Sequence, residues 1–148
     1  MKFKKIALVG YTGLIGSNFL NQIKKKKIKI DYFNSKNILK ISKKNYYDFV
    51  FCAALPAVKW YANKYPYKDF KNTNKLINRL KFLNTNYFVL ISTIDVRFKH
   101  SYGKNRLKLE KYITKRFKNK FIIRLPGVFG KGLKKNIIFD LIKKNNLD

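Results

Sequence analysis

Cysteine, histidine, proline-rich stretches and long apolar runs are all scarce in this sequence, and each shortage closes a class of structure or function. A single cysteine, Cys52, excludes a disulfide framework and a cysteine-built metal site within the chain. The single histidine, His100, reads as a surface-loop residue rather than a proton carrier, and no metal is expected. No stretch of about eighteen apolar residues runs free of charge, so no membrane-spanning helix is expected. Met1–Lys5 followed by Ile6–Gly10 has the outline of a signal peptide, but glycines interrupt the run and no small-residue cleavage site follows, so a cytoplasmic location is expected. Without a repeat or a Pro/Ser-rich linker, residues 1–148 read as one domain.

Acidic residues are scarce too. Seven Asp and Glu face 35 Lys and Arg, a net charge of +28. Such a balance raises the question of a nucleic-acid or anionic-membrane partner. Thirty of the basic residues are Lys and only five Arg, with Asn and Ile at 16 each. All of these except Arg favour A/T-rich codons, so a biased genome accounts for the composition without a polyanion. The lysines are dispersed and no DNA-reading motif accompanies them, which makes nucleic acid the weaker reading. The densest run, Lys24–Lys27 with Lys29, falls at the expected C-terminal end of a helix, where cations complement the exposed carbonyls.

Hydrophobic content of 46% supports a sizeable core, and short apolar runs alternate with helical patterns. Residues 4–10, 28–33, 48–54, 86–92 and 120–125 read as strands. The continuously apolar Phe49–Ala54 suits a strand covered on both faces, with Cys52 an inert core thiol. Residues 14–27, 69–83, 102–118 and 135–144 read as helices. Their stripes carry Ile15, Phe19 and Ile23; then Phe70, Thr73, Ile77, Leu80 and Leu83; then Tyr102, Arg106, Leu109, Ile113 and Phe117. Glu110 and Lys111 read as exposed helix charges. The alternation predicts an α/β fold, a doubly wound, Rossmann-like parallel sheet of about five strands.

Gly10-Tyr11-Thr12-Gly13-Leu14-Ile15-Gly16 stands where the first strand ends and an amphipathic helix begins, the context a dinucleotide fingerprint requires. Gly10 supplies the tight turn, Gly13 removes a Cβ from the path of a diphosphate, and Gly16 lets the helix lie close to the sheet. Thr12, Leu14 and Ile15 complete a helix start whose free amides face the phosphates. At the end of the second strand, where an acid grips the adenosine ribose, stand Asn34 and Ser35, followed by Lys36. An amide there removes the repulsion that excludes a 2′-phosphate, so NAD and NADP are both open, as is a plain turn-forming role. Trp60 and Tyr61 either line the adenine or substrate side or simply pack.

These segments, in this order, resemble the extended short-chain dehydrogenase/reductases, the NAD-dependent epimerase/dehydratase family. Val9–Gly16 is similar to its glycine fingerprint, and Phe51-Cys52-Ala53-Ala54 to the strand ending in two Ala beside the cofactor. Pro66 with Asn72 is similar to the helix that follows. Ile91–Val96 resembles the strand whose catalytic Ser or Thr falls on Thr93, and Ser101–Glu110 the helix carrying Tyr-x-x-x-Lys. Ile123–Gly130 resembles the loop over the nicotinamide, with Pro126 at the cofactor. The resemblance implies an enzyme with Tyr102 as acid/base, Thr93 as its partner and Arg106 as the ribose and electrostatic group, in place of the family's lysine. Tyr102 and Arg106, four apart, share a helix face, which sets a cation beside the phenol. A nucleotide-sugar substrate is implied as well, while the oligomeric state, a homodimer included, stays open. Family members continue into segments that grip the sugar, so a minimal relative, a fragment and a non-catalytic nucleotide-binding module all stay open.

Overall fold

A computed structural model describes residues 3–128 of the chain. Five strands, β1 (Lys5–Val9), β2 (Lys29–Phe33), β3 (Tyr46–Cys52), β4 (Asn84–Thr93) and β5 (Asn119–Leu125), form one all-parallel sheet in the order β2-β1-β3-β4-β5. Four α-helices connect them: α1 (Leu14–Ile23), α2 (Lys59–Lys64), α3 (Pro66–Leu80) and α4 (Ser101–Arg116). Short 3-10 turns sit at Ile38–Lys40 and Ile94–Arg97. The expected α/β fold is therefore present, with helices on both faces of the sheet.

The pleat of β1 sorts the two layers, because successive side chains point to opposite faces. Ala7 and Val9 face the larger core with Val50, Cys52, Phe88 and Leu90, closed by Leu76 and Leu80 of α3 and Leu109 and Ile113 of α4. Leu8, Phe51 and Val89 face the other way, packed by Ile15, Phe19 and Leu20 of α1. Phe19 lies flat on Phe51, the ring centres 4.0 Å apart. Paired register runs Val9 to Phe33 on one side and Val9 to Cys52 on the other, so the ends of β1, β2 and β3 finish level.

Several expectations shift on contact with this packing. α1 stops at Ile23 rather than residue 27, and Lys24–Lys27 are exposed in the turn that follows. The expected Thr73, Leu80 and Leu83 are buried, but Asp69 and Leu76 take the core positions expected of Phe70 and Ile77, and Phe70 is 40% exposed. A charged side chain on the core face disguised that stripe. Glu110 is buried rather than exposed, because Arg124 on β5 reaches over it, with Nη2 donating to Oε2 at 2.7 Å and Nε to Oε1 at 3.1 Å. α2 was not anticipated, and the segment 135–144 lies outside the described residues.

Candidate functional site

Chain order reverses across the sheet between β1 and β3: β2 lies beyond β1, whereas β3, β4 and β5 run the other way. Open α/β sheets bind ligands outside the strand C-termini at such a switch point. A crevice of about 350 Å³ opens there. Gly10, Thr12 and Gly13 line it from the β1–α1 turn, Asn34 and Ser35 from the end of β2, Ala53 to Pro56 from beyond β3, and Asn72 and Lys75 from α3. No carboxylate is among its lining residues.

The three glycines of the turn divide by function. Gly10 has φ +88°, and a Cβ on it would stand 2.6 Å from the carbonyl oxygen of Ala53. A Cβ on Gly16 would stand 2.2 Å from the carbonyl oxygen of Gly10. Both are demanded by the fold. Gly13 is different: its nearest neighbour would be the Gly10 oxygen at 3.6 Å, so its bare face belongs to the crevice and not to packing. Gly13 also starts α1 without a side-chain cap. Helix geometry leaves the first-turn amides of Leu14, Ile15 and Gly16 without intrahelical acceptors.

At the end of β2, Asn34 forms a side-chain turn. Its Oδ1 accepts from the amide of Lys36 at 2.9 Å, and its Nδ2 donates to the Tyr11 hydroxyl at 3.3 Å. Ser35 beside it is exposed. Asp31 is no substitute for a ribose acid, because it lies mid-strand, accepting from the Tyr47 hydroxyl at 2.9 Å and paired with Lys5 at 3.4 Å. Burial and this carboxylate together push the Tyr47 phenol well up. Cys52, fully buried in β3, is pushed up to about 12 by burial and is a core thiol as expected. Beyond β3, Leu55 holds φ +85°, a left-handed conformation rare for a branched side chain, on the crevice wall.

Thr93 ends β4, and its hydroxyl bonds twice to Asp95: Oγ1 donates to Oδ2 at 3.1 Å and accepts from the backbone N–H at 3.2 Å. The Asp95 carboxylate also accepts from Lys59 Nζ at 2.6 Å and lies 3.3 Å from His100 Nε2. Burial alone would raise the Asp95 carboxyl. The bonds from Lys59, Thr93 and His100, with the Lys59 charge, outweigh burial and hold it low. His100 is a helix cap rather than a loop residue, because its Nδ1 accepts from the Gly103 amide at 3.0 Å. Gly103 packs the start of α4 onto the 3-10 turn so closely that a Cβ would lie 2.2 Å from the Asp95 carbonyl oxygen.

Tyr102 is buried at that helix start, its amide donating to Asn63 Oδ1 at 3.0 Å. The Arg106 guanidinium stacks on the Tyr102 ring, 4.3 Å from its centre. That guanidinium forks onto Asp69, Nη1 to Oδ2 at 3.0 Å and Nη2 to Oδ1 at 3.1 Å, and Nη2 donates again to the Pro56 carbonyl at 2.7 Å. Asn105 Nδ2 adds a third donor to Asp69 at 2.8 Å. Thr93, Tyr102 and Arg106 therefore gather at the C-terminal side of the sheet, but none of them lines the crevice. Pro126 follows β5 on the same side and is exposed. Sequence reasoning passed over Asp69, Asp95 and Gly103; the one usable signal was a glycine directly after the helical tyrosine.

The class of protein is set by this architecture: a Rossmann-like α/β domain with a glycine turn at its switch point. Known structures share this fold. The fold is similar to a dTDP-4-dehydrorhamnose reductase from Clostridium acetobutylicum (19% identity, TM-score 0.75, covering 95% of this chain and 59% of that one). It is also similar to a dTDP-4-dehydrorhamnose reductase from Bacillus anthracis solved in complex with NADP (14% identity, TM-score 0.77, covering 97% and 60%). A UDP-N-acetylglucosamine 4-epimerase from Methanobrevibacter ruminantium matches comparably, at 18% identity, TM-score 0.75 and coverage of 97% and 63%. The chain thus spans about 60% of the length of these structures. At the level of sequence, no family model and no curated protein matches it.

Proposed function

We propose that the chain binds NAD or NADP in the switch-point crevice and carries the Tyr-based site of a nucleotide-sugar reductase or epimerase. The observation that carries this reading is the division of the glycines: Gly10 and Gly16 are required by packing, whereas Gly13 is bare only toward the crevice. In this reading Thr12, Gly13 and the first-turn amides of Leu14, Ile15 and Gly16 hold the diphosphate. Asn34 and Ser35 take the adenosine ribose, and Ala53 and Ala54 supply a flat wall for the cofactor. Pro126 closes the nicotinamide side. The cofactor supplies or accepts a hydride when bound. Tyr102 moves a proton at its phenol oxygen to or from the substrate hydroxyl, and Thr93 orients that oxygen with its own hydroxyl. The Arg106 guanidinium, stacked on the Tyr102 ring, holds the phenol in place.

A second reading, dinucleotide binding without turnover, is favoured by one observation: the Arg106 guanidinium is closed onto Asp69 and Pro56 instead of reaching a ribose. Titration of NADPH and NADH by cofactor fluorescence tests the shared step, with Gly13→Asp expected to weaken binding at least tenfold at unchanged melting temperature. Absence of binding by the parent chain at millimolar cofactor would sink both readings. Turnover of dTDP- and UDP-sugars then separates them. Activity lost in Tyr102→Phe supports the enzyme; cofactor binding with no activity in either form supports the module.

A further inference from the structure

Five large aromatic side chains stand open to water between residues 60 and 70: Trp60, Tyr61, Tyr65, Tyr67 and Phe70. Trp60 is 68% and Tyr67 is 73% exposed and neither lines the switch-point crevice, while Trp60 and Tyr61 border a smaller cavity of about 210 Å³ with Pro56, Val58, Asp69 and Asn72. They belong to α2, the residue that joins it to α3, and the first turns of α3. Tyr61 leans on Tyr65 with ring centres 4.7 Å apart, and Trp60 meets Tyr61 edge-on at 5.7 Å. Tyr67 has no ring contact among the described residues. A cluster of this kind on a single chain marks an interaction surface.

The charge around it selects the partner. Lys68 and Lys64 sit over the Tyr65 ring at 5.0 and 5.7 Å, and Lys108 over Phe70 at 4.1 Å. Lys71 is exposed beside them, and the only acid of the stretch, Asp69, is buried under Arg106. The face is thus cationic with no carboxylate to balance it. A second copy would bring the same charge and repel. An anionic bilayer is the nearest rival, because rings among lysines also suit its interface, but residues 59–71 contain no Leu, Ile, Val or Met to insert more deeply. Flat, amphipathic rings interleaved with ammonium groups match instead a chain of stacked bases joined by phosphates.

We propose that the α2–α3 face is a docking surface for single-stranded nucleic acid, with bases stacking on Trp60 and Tyr67 and phosphates meeting Lys64, Lys68 and Lys108. Neither Trp60 nor Tyr67 lines the dinucleotide crevice, and the smaller cavity that Trp60 borders adjoins that crevice at Pro56 and Asn72. The dispersed lysines alone argued against nucleic acid; their arrangement around exposed rings argues for it.

Trp60 is the sole tryptophan, so emission excited beyond the tyrosine absorption band comes from this face. The full chain is titrated with short oligouridylate and oligothymidylate, with heparin, and with phosphatidylserine vesicles. Oligonucleotide is expected to quench Trp60, and Trp60→Ala/Tyr67→Ala to lower its affinity about tenfold or more by anisotropy. Heparin, which has charge but no bases, is expected to bind parent and variant alike without quenching. Both positions are exposed, so the variant keeps its fold, checked by circular dichroism. Oligonucleotide bound without quenching and equally well by the variant would reduce the effect to the bulk charge and overturn the proposal. So would no binding, or a blue shift with vesicles alone. Oligouridylate against oligothymidylate decides between RNA and DNA.

Discussion

The Asp69 carboxylate lies on the buried stripe of α3 with three N–H donors on its two oxygens, from Arg106 twice and Asn105 once. Both members of the ion pair are nearly inaccessible, so removal of either leaves the other charged and dry. Asp69→Asn or Arg106→Met is expected to lower unfolding stability by about 3–5 kcal/mol, measured by denaturant titration. The double variant Asp69→Leu/Arg106→Met is expected to lose less than the two singles together, because no orphan charge remains. Equal, additive losses would show that the pair is not coupled. Local spacing in the sequence gives Asp69 no role. Only its distant partners make it a core residue.

At the scale of elements, the start of α4 is held by contacts from three directions. His100 caps it, Asn63 of α2 receives the Tyr102 amide, and Gly103 lets it close on the 3-10 turn after β4. Asp95 is the hub of that turn, and its carboxyl in the folded chain sits below the ordinary value of 3.8. The ionised form is therefore the one folding favours. Its contribution is fully present above the unfolded value and disappears as pH falls through the folded one. Melting temperatures recorded from neutral pH to about pH 2 should fall less steeply in Asp95→Asn than in the parent, with the difference confined to below about pH 5. Parallel curves would remove Asp95 from the acid response. The stripe of α4 was readable from spacing alone, since Tyr102, Arg106, Leu109, Ile113 and Phe117 are all buried. Its N-terminal anchoring was not, because Asn63 comes from α2 and the turn on which Gly103 closes comes from the end of β4.

For the molecule as a whole, the charge of +28 opposes compaction, since like charges are brought closer on folding. Among the described residues the acids are used locally: Asp69 in a buried pair, Glu110 buried under a partly exposed Arg124, and Asp95 and Asp31 in part-buried pairs. Little is left to balance the surface lysines. Raising sodium chloride from low to physiological concentration and beyond is expected to stabilise the chain, on the order of 1 kcal/mol or a few degrees in thermal unfolding. A melting temperature that falls with salt would mean instead that surface ion pairs outweigh the repulsion. No helix among the described residues is long and apolar enough to cross a membrane.

What the amino-acid order determined by itself was local: five apolar runs of strand length, helical stripes between them, and a glycine-spaced turn from β1 into α1. Each of these depends on residues within about a dozen positions, where backbone sterics and periodicity act directly. Tertiary structure alone decided the order of strands in the sheet, and with it the crevice at the point of reversal. It also decided that Arg106 turns to Asp69, 37 residues away, that Arg124 covers Glu110, and that Trp60 stands in water. The reason is physical: a side chain's charge partner and its exposure are set by what packs beside it. In a parallel sheet, neighbours in space are separated in sequence by a whole crossover.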